Sequence, residues 1–463
     1  MKSYIFAFLL TNCALCLQSN QPVETTPPLE NLSGAESQAV LAINLDRGDT
    51  LCSYNIEKEM TPASVTKLFT TGAALKILGA DYKFATKALY DSEKGAIVVV
   101  GGGDPTFNSK YFAGNNIEKF AKNIARQLSQ SGHKQIKGGI IIDDSHIDRP
   151  YFNSSRLWED MGNYYGSAPR SLNYNDNTFE IFLNSPAAVG ELCTISKTVP
   201  KLMKMPACYV KSYSGTADSA FIYGTGESDT YVTGAIPAGR TNFKVKGALC
   251  NPELTMAKDL IACLAELGIA VADSISYGRC SPSAMLVAEQ LSPPVIDICC
   301  ITNKRSNNLF ADALLLETSF RKTGHSNWDC ATRTLTDFCK QTTGTSNHFY
   351  DGSGLSPFTG ASAASIVELL ISFKNDSCFE QFEKTLAVSG EDGTLRNFCK
   401  DNGLNGKIKG KSGSMKGVVA YAGYLQNSRN EDIVFCVIVN HCCDKASFVR
   451  GEIERFLAVL AKK

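Results

Sequence analysis

The chain has 463 residues, which is enough for two or three domains. Lys and Arg together number 46, as do Asp and Glu, so no bulk charge favours nucleic acid or an anionic surface as a partner. A hydrophobic content of 44% with 20% charged residues is typical of a soluble globular protein.

Residues 1–20 have the pattern of a secretory signal peptide, with a basic start at Lys2 and a largely apolar run over 4–17. This run is too short to cross a bilayer as a helix, and no other run approaches the roughly 18 apolar residues that a span needs. We therefore expect an exported protein that works in the periplasm or another extracytoplasmic space. The cleavage point stays open because no clean Ala-x-Ala site is present. Lipidation at Cys13 or Cys16 also stays open, although Asn12 and Leu15 are poor residues before a lipid-bearing cysteine.

The chain contains 17 cysteines, of which Cys13 and Cys16 fall in the signal segment. Disulfides are common in exported proteins, although their connectivity cannot be deduced from sequence. The alternative is that most of the cysteines are small buried apolar residues. The candidate local pairs are Cys193 with Cys208, Cys330 with Cys339, and Cys378 with Cys399.

The predicted elements fall into three regions. A hairpin and a helix come first, short strands with glycine turns follow from about 84 to 277, and helices dominate the third region before two strands and a last helix. The closing strands and helix would pack against the first hairpin and its helix, so we expect one α/β domain built from both chain ends. The predicted bounds are 39–45 and 50–54 for the hairpin, 64–79 for its helix, 294–303, 307–321, 328–342 and 361–373 for the later helices, 418–425 and 433–439 for the closing strands, and 446–460 for the last helix.

Ser64 and Lys67 form a Ser-x-x-Lys motif at the start of the first predicted helix. Residues three apart share a helix face, so the two side chains can meet. A serine hydroxyl needs a base to become a nucleophile, and a lysine amine can be that base without any histidine. Taken alone the motif is common by chance, and a helix cap beside a solvated lysine is then the preferred interpretation.

Two further motifs favour the catalytic interpretation of Ser64 and Lys67. Ser306 and Asn308 form a Ser-x-Asn motif at a predicted helix start, and Lys411-Ser412-Gly413-Ser414 comes just before a predicted strand. The order Ser-x-x-Lys, Ser-x-Asn, Lys-[Ser/Thr]-Gly is the signature of the penicillin-recognising serine acyl transferases.

The chain resembles the class C low-molecular-mass penicillin-binding proteins of the penicillin-binding protein 4 type, which are D-alanyl-D-alanine carboxypeptidases and endopeptidases. Besides the three motifs, the resemblance includes the stretches 101–106, 350–356 and 391–395, and it covers essentially the whole mature chain. The function it implies is an exported serine peptidase that cuts peptidoglycan stem peptides or their crosslinks and is acylated by β-lactams.

The resemblance also implies the fold, an α/β (α+β) β-lactamase-like domain in which helices flank an antiparallel sheet, with two smaller β-rich inserted domains. We expect the catalytic domain over 21–84 and 285–463. One inserted domain would cover 85–104 and 166–284, and the other 105–165.

The same resemblance gives each motif residue a role that its chemistry can fill. Ser64 would attack a D-alanyl carbonyl and become acylated, Lys67 would accept its proton, and Ser306 would relay a proton to the leaving amine. The expected substrate-binding groups are the Asn308 amide for the peptide backbone, Lys411 and the Ser412 hydroxyl for the terminal carboxylate, Gly413 for close approach, and the N–H groups of Ser64 and Ser414 for the oxyanion.

Some positions bear on substrate choice. By resemblance, Asp160 in a Trp-Glu-Asp-Met stretch would meet the free amine of a diamino acid in the stem peptide, and Tyr165 would pack beside it. Pro357 and Lys416 stand where better-known relatives have an arginine and a glutamine. The preferred stem peptide and the balance between carboxypeptidase and endopeptidase activity therefore stay open.

No metal or organic cofactor is expected. The expected partners are a peptidoglycan stem peptide and β-lactam antibiotics, and no nucleic acid, while peripheral membrane or wall association and a homodimer are left open. The alternative functions are a β-lactamase or esterase of the same superfamily and a non-catalytic penicillin-binding wall protein.

Overall fold

The computed structural model describes residues 27–34, 36–202, 204–224 and 229–463. The predicted signal peptide lies outside the described residues. Among the residues that are described, none belongs to a helix with the length and apolar content that a bilayer span requires.

The elements alternate between helix-rich and strand-rich stretches. Within the described ranges the strands are β1 (Ser37–Asn44), β2 (Thr50–Tyr54), β3 (Ala85–Asp91), β4 (Ala96–Val100), β5 (Gln135–Ile136), β6 (Ile140–Asp143), β7 (Thr178–Asn184), β8 (Thr194–Val199), β9 (Ala207–Tyr213), β10 (Phe221–Tyr223), β11 (Tyr231–Pro237), β12 (Phe243–Ala248), β13 (Ala270–Val271), β14 (Ile275–Tyr277), β15 (Met285–Leu291), β16 (Ala387–Val388), β17 (Ile408–Met415), β18 (Val418–Gln426) and β19 (Asp432–Asn440). The α-helices are α1 (Lys67–Ile77), α2 (Ile117–Gln130), α3 (Trp158–Met161), α4 (Pro252–Glu266), α5 (Val295–Lys304), α6 (Asn308–Thr323), α7 (Trp328–Thr343), α8 (Ala363–Lys374), α9 (Phe379–Thr385) and α10 (Ala446–Leu460).

An antiparallel sheet with the strand order β16-β17-β18-β19-β1-β2 lies at the centre of the largest domain. Strand β1 pairs with β19 over its whole length, from Ser37 opposite Asn440 to Asn44 opposite Ile433. Segments near the two ends of the chain therefore share one sheet. Helices flank this sheet, which confirms the predicted fold class.

Both faces of the central sheet are covered. In β19, Val434, Cys436 and Ile438 belong to the core that the sheet shares with α1 and α5 to α8, whereas Phe435 and Val437 belong to the core under α10. Alternate residues of a strand point to opposite faces. A strand buried on both faces needs apolar residues at every position, and this explains the unbroken apolar runs that made β18 and β19 visible in the sequence.

Local signals define the helices of the layer beside the sheet. The side chains of Asn307, Asn327 and Ser362 accept backbone hydrogen bonds at the starts of α6, α7 and α8. Gly324 and Gly344 end α6 and α7 in the left-handed conformation. The predicted helix bounds in this region agree with the observed ones to within about two residues.

A second unit is built on a five-stranded sheet with the order β14-β6-β4-β3-β15. Its core joins Val99 of β4 and Ile142 of β6 with Phe120 of α2 and Leu260 of α4. A third unit contains two three-stranded sheets, β12-β7-β8 and β10-β11-β9, which share a core that includes Ile181.

The middle of the chain divides differently from the predicted boundaries. Helix α2 and strand β6, inside the segment 105–165 expected to form its own domain, pack with β3 and β4. Strands β7 to β12 form the separate β unit instead. Strand β15, expected in the catalytic domain, pairs with β3. The predicted domain boundaries were wrong because these strand pairings join segments that lie far apart in the chain. Local sequence patterns do not reveal such pairings.

None of the three candidate cysteine pairs forms a disulfide. Cys330 and Cys339 are nine residues apart on α7, which places them about 13 Å apart along the helix and out of bonding range. Cys378 packs on the side of the central sheet that faces α1 and α5 to α8. Cys399 lies in the core on the opposite side, under α10. All six cysteines of these candidate pairs are free thiols, namely Cys193, Cys208, Cys330, Cys339, Cys378 and Cys399.

The contact between α1 and α8 gives a test of the helical layer. Phe373 is 1% exposed, and its ring stacks on Phe382 with the centroids 4.0 Å apart. It also fills the space over Gly72, where an added Cβ would lie 2.7 Å from the ring. Phe373→Ala should lower the free energy of unfolding by about 3–5 kcal/mol, because it leaves a cavity in the core.

Chemical denaturation followed by circular dichroism measures this change. Phe448 on α10, which is 43% exposed, provides the matched control. Phe448→Ala should change the unfolding free energy by less than about 0.5 kcal/mol. Equal effects of the two substitutions would contradict the assignment of Phe373 to the core.

Candidate active site

Ser64 and Lys67 meet at the start of α1. Ser64 lies in a 3-10 turn over Ala63–Thr66, and Lys67 is the first residue of the α-helix that follows. The Lys67 Nζ atom is 2.9 Å from the Ser64 Oγ atom. The two side chains therefore share a face as predicted, although a tighter turn precedes the α-helix.

The backbone just before Ser64 is held in an uncommon conformation. Ala63 has a φ of 47°, in the left-handed region that residues with a side chain seldom adopt. Gly354 packs so closely that an added Cβ would lie 2.0 Å from the Ala63 carbonyl oxygen. On the other side, the Asn440 side chain accepts from the Thr61 N–H and donates to the Thr61 carbonyl, both at 3.0 Å. Packing and hydrogen bonds thus fix the turn that presents Ser64.

Lys67 is completely buried and has three oxygen partners. Its Nζ atom donates to Asn308 Oδ1 at 2.7 Å and to the Ser353 carbonyl at 2.6 Å, in addition to Ser64. Burial lowers the pKa of Lys67 to about 7, and although Asp312 and Asp351 act to raise it, Arg156 acts to lower it. A substantial fraction of this amine is therefore neutral near pH 7.

A buried ionic network lies behind Lys67. Arg156 Nη2 is 2.7 Å from Asp312 Oδ2 and 3.8 Å from Asp351 Oδ2. Asp351 also accepts backbone hydrogen bonds at 2.7–3.1 Å from the loop that follows it. Burial raises the pKa of Asp312 to about 6, and Arg156 opposes this rise. The network sets the charge that Lys67 experiences.

Arg156 and Asp312 were not among the site residues predicted from the sequence. Asp312 lies four residues after Asn308 on α6, so helical spacing places it on the same face, and this signal was available. Arg156 precedes α3 in the middle of the chain, and nothing in its sequence context connects it to residue 312.

Ser306 and Lys411 form a second serine–lysine pair. Lys411 Nζ donates to Ser306 Oγ at 3.0 Å and to the Ser412 carbonyl at 2.7 Å. Ser306 adopts a left-handed φ of 54° in the short link between α5 and α6. Burial holds the pKa of Lys411 well below its usual range, and the positive charge of Lys67 lowers it further. An anion placed beside Lys411 would reverse this shift and favour its ammonium form.

Strand β17 runs directly beside the turn that carries Ser64. An added Cβ on Gly413 would lie 2.4 Å from the Pro62 carbonyl and 3.2 Å from the Ser64 nitrogen, so only glycine fits here. Ser412 is half-buried and its Oγ atom lies 2.8 Å from Thr394 Oγ1, while Ser414 is exposed at the end of the strand. The strand edge is thus accessible beside the serine hydroxyl.

Asp160 and Tyr165 reach the same cluster through Asn308. Asp160 lies on the four-residue helix α3, and the Tyr165 hydroxyl hydrogen-bonds to its carboxylate. Asn308 Nδ2 donates to the Tyr165 carbonyl at 2.8 Å. Burial raises the pKa of Asp160, although the hydrogen bond from Tyr165 opposes this. An amine arriving beside Asp160 would favour the ionised carboxylate.

The structure brings the predicted motif residues into one cluster where α1, α6 and β17 meet. Its chemistry is that of two serine–lysine pairs beside an open strand edge, which suits acyl transfer without a histidine. Among the described residues, no group of three or more His, Cys, Asp or Glu side chains is arranged to hold a metal ion.

A family model and two curated relatives match most of this chain. A family model described as the D-Ala-D-Ala carboxypeptidase 3 (S13) family matches residues 23–462. The D-alanyl-D-alanine carboxypeptidase of Actinomadura sp. (strain R39) is 26% identical over 440 residues, which cover 88% of this chain and 78% of that protein. The D-alanyl-D-alanine carboxypeptidase DacB of Haemophilus influenzae is 23% identical over 437 residues, covering 89% and 87% respectively.

A solved structure has the same fold. The crystal structure of penicillin-binding protein 4 (dacB) from Haemophilus influenzae superposes with a TM-score of 0.79 at 22% sequence identity, and the match covers 94% of this chain and 99% of that chain. The family model spans nearly the whole chain, and the protein therefore belongs to the D-Ala-D-Ala carboxypeptidase 3 (S13) family of serine peptidases.

Proposed function

We propose that the protein is a serine D-Ala-D-Ala carboxypeptidase and DD-endopeptidase that cuts peptidoglycan stem peptides through an acyl-enzyme on Ser64. The observation that carries this proposal is the 2.9 Å contact between Ser64 Oγ and Lys67 Nζ. Because the pKa of Lys67 is lowered to about 7, the amine can accept the serine proton near neutral pH.

Acylation begins when Ser64 Oγ attacks the D-alanyl carbonyl and its proton passes to Lys67. The N–H groups of Ser64 and Ser414 bind the oxyanion that forms, and each such donor contributes about 3 kcal/mol to the transition state. The close approach of Gly413 to Ser64 supports this pairing of β17 with the turn.

The second serine–lysine pair handles the leaving group. Ser306 Oγ accepts from Lys411 at 3.0 Å. Ser306 passes its own proton to the departing amine, and the proton that Lys67 took from Ser64 replaces it, so that Lys67 is neutral again. Collapse of the tetrahedral intermediate breaks the peptide bond and leaves the acyl group on Ser64. Water then hydrolyses the ester, with Lys67 again as the base.

Lys411 and Ser412 recognise the terminal carboxylate of the substrate. A carboxylate beside the buried Lys411 stabilises its ammonium form and so raises its lowered pKa. Binding of the substrate carboxylate therefore favours protonation of Lys411, and protonation of Lys411 favours binding. The half-buried Ser412 hydroxyl adds a hydrogen bond. Asn308 holds the peptide backbone, and Asp160 with Tyr165 meets the side-chain amine of a diamino acid.

A β-lactam acylates the same serine, because its strained amide occupies the place of the D-alanyl peptide. The penicillin-binding protein 4 structure from Haemophilus influenzae complexed with a β-lactam has a TM-score of 0.74 to this chain, which supports the proposal through the shared fold. We place the enzyme outside the cytoplasm on the basis of the predicted signal peptide.

Removal of the Ser64 hydroxyl tests the nucleophile. Ser64→Ala should abolish covalent labelling by a fluorescent penicillin, because no oxygen remains to form the ester. Labelling is measured on a denaturing gel, and Ser428→Ala, at an exposed serine far along the chain, should label as the wild type does. Retained labelling of the Ser64 variant would contradict the assignment, and rapid release of the label from wild type would favour a β-lactamase.

The acylation rate should rise with pH and reach half its maximum near pH 7, because only neutral Lys67 accepts the proton and its pKa is about 7. Asp312→Asn removes a negative charge that raises this pKa, so the midpoint should move to lower pH. Stopped-flow acylation by penicillin across pH 5–9 measures the shift. Asp329→Asn, at an exposed site on α7, should leave the midpoint in place, and an unchanged midpoint for Asp312→Asn would argue against Lys67 as the base.

If Ser412 binds the terminal carboxylate, the effect of replacing Ser412 should depend on whether the substrate has a free carboxylate at its terminus. Ser412→Ala should raise KM for a D-Ala-D-Ala pentapeptide by about tenfold, since a hydrogen bond to a charged group is lost, whereas Ser412→Thr should behave as the wild type does. A substrate with an amidated terminus should show a much smaller effect of Ser412→Ala. Release of D-alanine, measured by mass spectrometry, gives the values, and equal effects on both substrates would exclude this contact.

A further inference from the structure

The outer face of the sheet β10-β11-β9 is covered with aromatic side chains. Three of them are strongly exposed: Trp158 at 54%, Tyr209 at 57% and Phe221 at 44%. Tyr223 and Tyr231 lie between them and are partly buried by their ring neighbours. We call these five residues the aromatic face.

Strand register explains how the aromatic face arises. Phe221 lies opposite Thr233, which lies opposite Tyr209, and Tyr223 lies opposite Tyr231 in the neighbouring row. The alternate residues Ile222, Val232 and Val210 point the other way into the core. Sheets with one buried face normally present polar side chains on the other. An exposed aromatic cluster on this second face is therefore the mark of a binding surface.

The rings of Trp158, Tyr209, Tyr223 and Tyr231 form a continuous shelf. The rings of Tyr223 and Tyr231 are stacked, with centroids 5.3 Å apart and planes 13° apart. The Trp158 ring lies 5.0 Å from Tyr223, and the Tyr209 ring lies 6.0 Å from Tyr231. Three phenol hydroxyls and one indole N–H extend from these rings, so the shelf combines flat apolar surfaces with polar tips.

The shelf is joined to the active site. Trp158 and Asp160 are on the same short helix, α3, and the next turn contains Tyr165, whose carbonyl accepts from Asn308 at 2.8 Å. Asn163, between them, accepts from the Ile222 N–H of β10 at 3.0 Å. The site that would hold the stem peptide is thus continuous with the aromatic face.

We propose that the aromatic face binds the glycan strand from which the stem peptide hangs, through the pyranose rings of its N-acetylated amino sugars. This inference rests on the proposed function, because that function puts a glycan-linked peptide at Ser64. A pyranose ring has an apolar C–H face that stacks on an aromatic ring and a rim of hydroxyl and amide groups that suits the phenol and indole tips. The five rings carry no charge, which matches a neutral sugar chain.

Tryptophan fluorescence gives a direct binding test. The chain has two tryptophans, and Trp158 is 54% exposed while Trp328 is 8% exposed. Titration of the mature protein with a tetramer of N-acetylglucosamine should shift the emission of Trp158, and Trp158→Phe should lose this signal. Tyr209→Ala and Tyr231→Ala should weaken binding about threefold to tenfold, the expected effect of losing one ring contact.

Controls separate this inference from the catalytic proposal. Ser64→Ala protein should bind the tetramer as the wild type does, because the shelf does not include the serine. Phe448→Ala, at an exposed aromatic residue on α10, should also bind normally. With a disaccharide pentapeptide, the two tyrosine variants should raise KM and leave kcat unchanged, and with the free pentapeptide they should match the wild type.

Three results would overturn the glycan assignment. These are no fluorescence change at saturating tetramer, unchanged affinity in the tyrosine variants, and a conversion of dimer to monomer in those variants without any loss of tetramer binding. The last result would make the aromatic face a contact between two copies of the chain. If wild type cleaves neither pentapeptide, the proposed function fails, and the tetramer titration still decides the binding surface.

Discussion

The burial of two lysine amines, Lys67 and Lys411, is the constraint on which the rest of the site depends. An ammonium group loses its hydration when it is buried, so it must either find oxygen partners or give up its proton. Each amine has a serine hydroxyl and a backbone carbonyl within hydrogen-bonding distance. Both pKa values are lowered. Burial thus favours the neutral form of two amines that are normally charged.

This burial also explains why distant parts of the chain must meet. The amide that contacts Lys67 comes from α6, and the carbonyl comes from the loop at Ser353. Arg156, from the middle of the chain, balances the charge of Asp312 and Asp351. A buried ion pair stays stable only when its partners are all present. The middle region is therefore part of the electrostatics of the site.

Local patterns in the sequence predicted the three motifs, the helices of the layer and the central strands, because caps, periodicity and unbroken apolar runs are local signals. Arg156 had no such signal, since its partners lie on α6 and after residue 350. The predicted domain boundaries in the middle region were wrong because the strands that pair there are distant in sequence. Spacing along the chain made Cys378 and Cys399 a candidate disulfide pair, but it could not show that they lie on opposite sides of one sheet.

The proposed chemistry depends on the ionisation of Lys67, which NMR of the side-chain nitrogen can follow. Protein labelled with ¹⁵N at lysine Nζ, with the Lys67 signal assigned by its absence in Lys67→Arg, can be titrated from pH 5 to pH 11. We predict a midpoint near pH 7 for the free enzyme, where burial sets the pKa. A midpoint near 10.4, the value of an ordinary lysine, would contradict the role of Lys67 as the base.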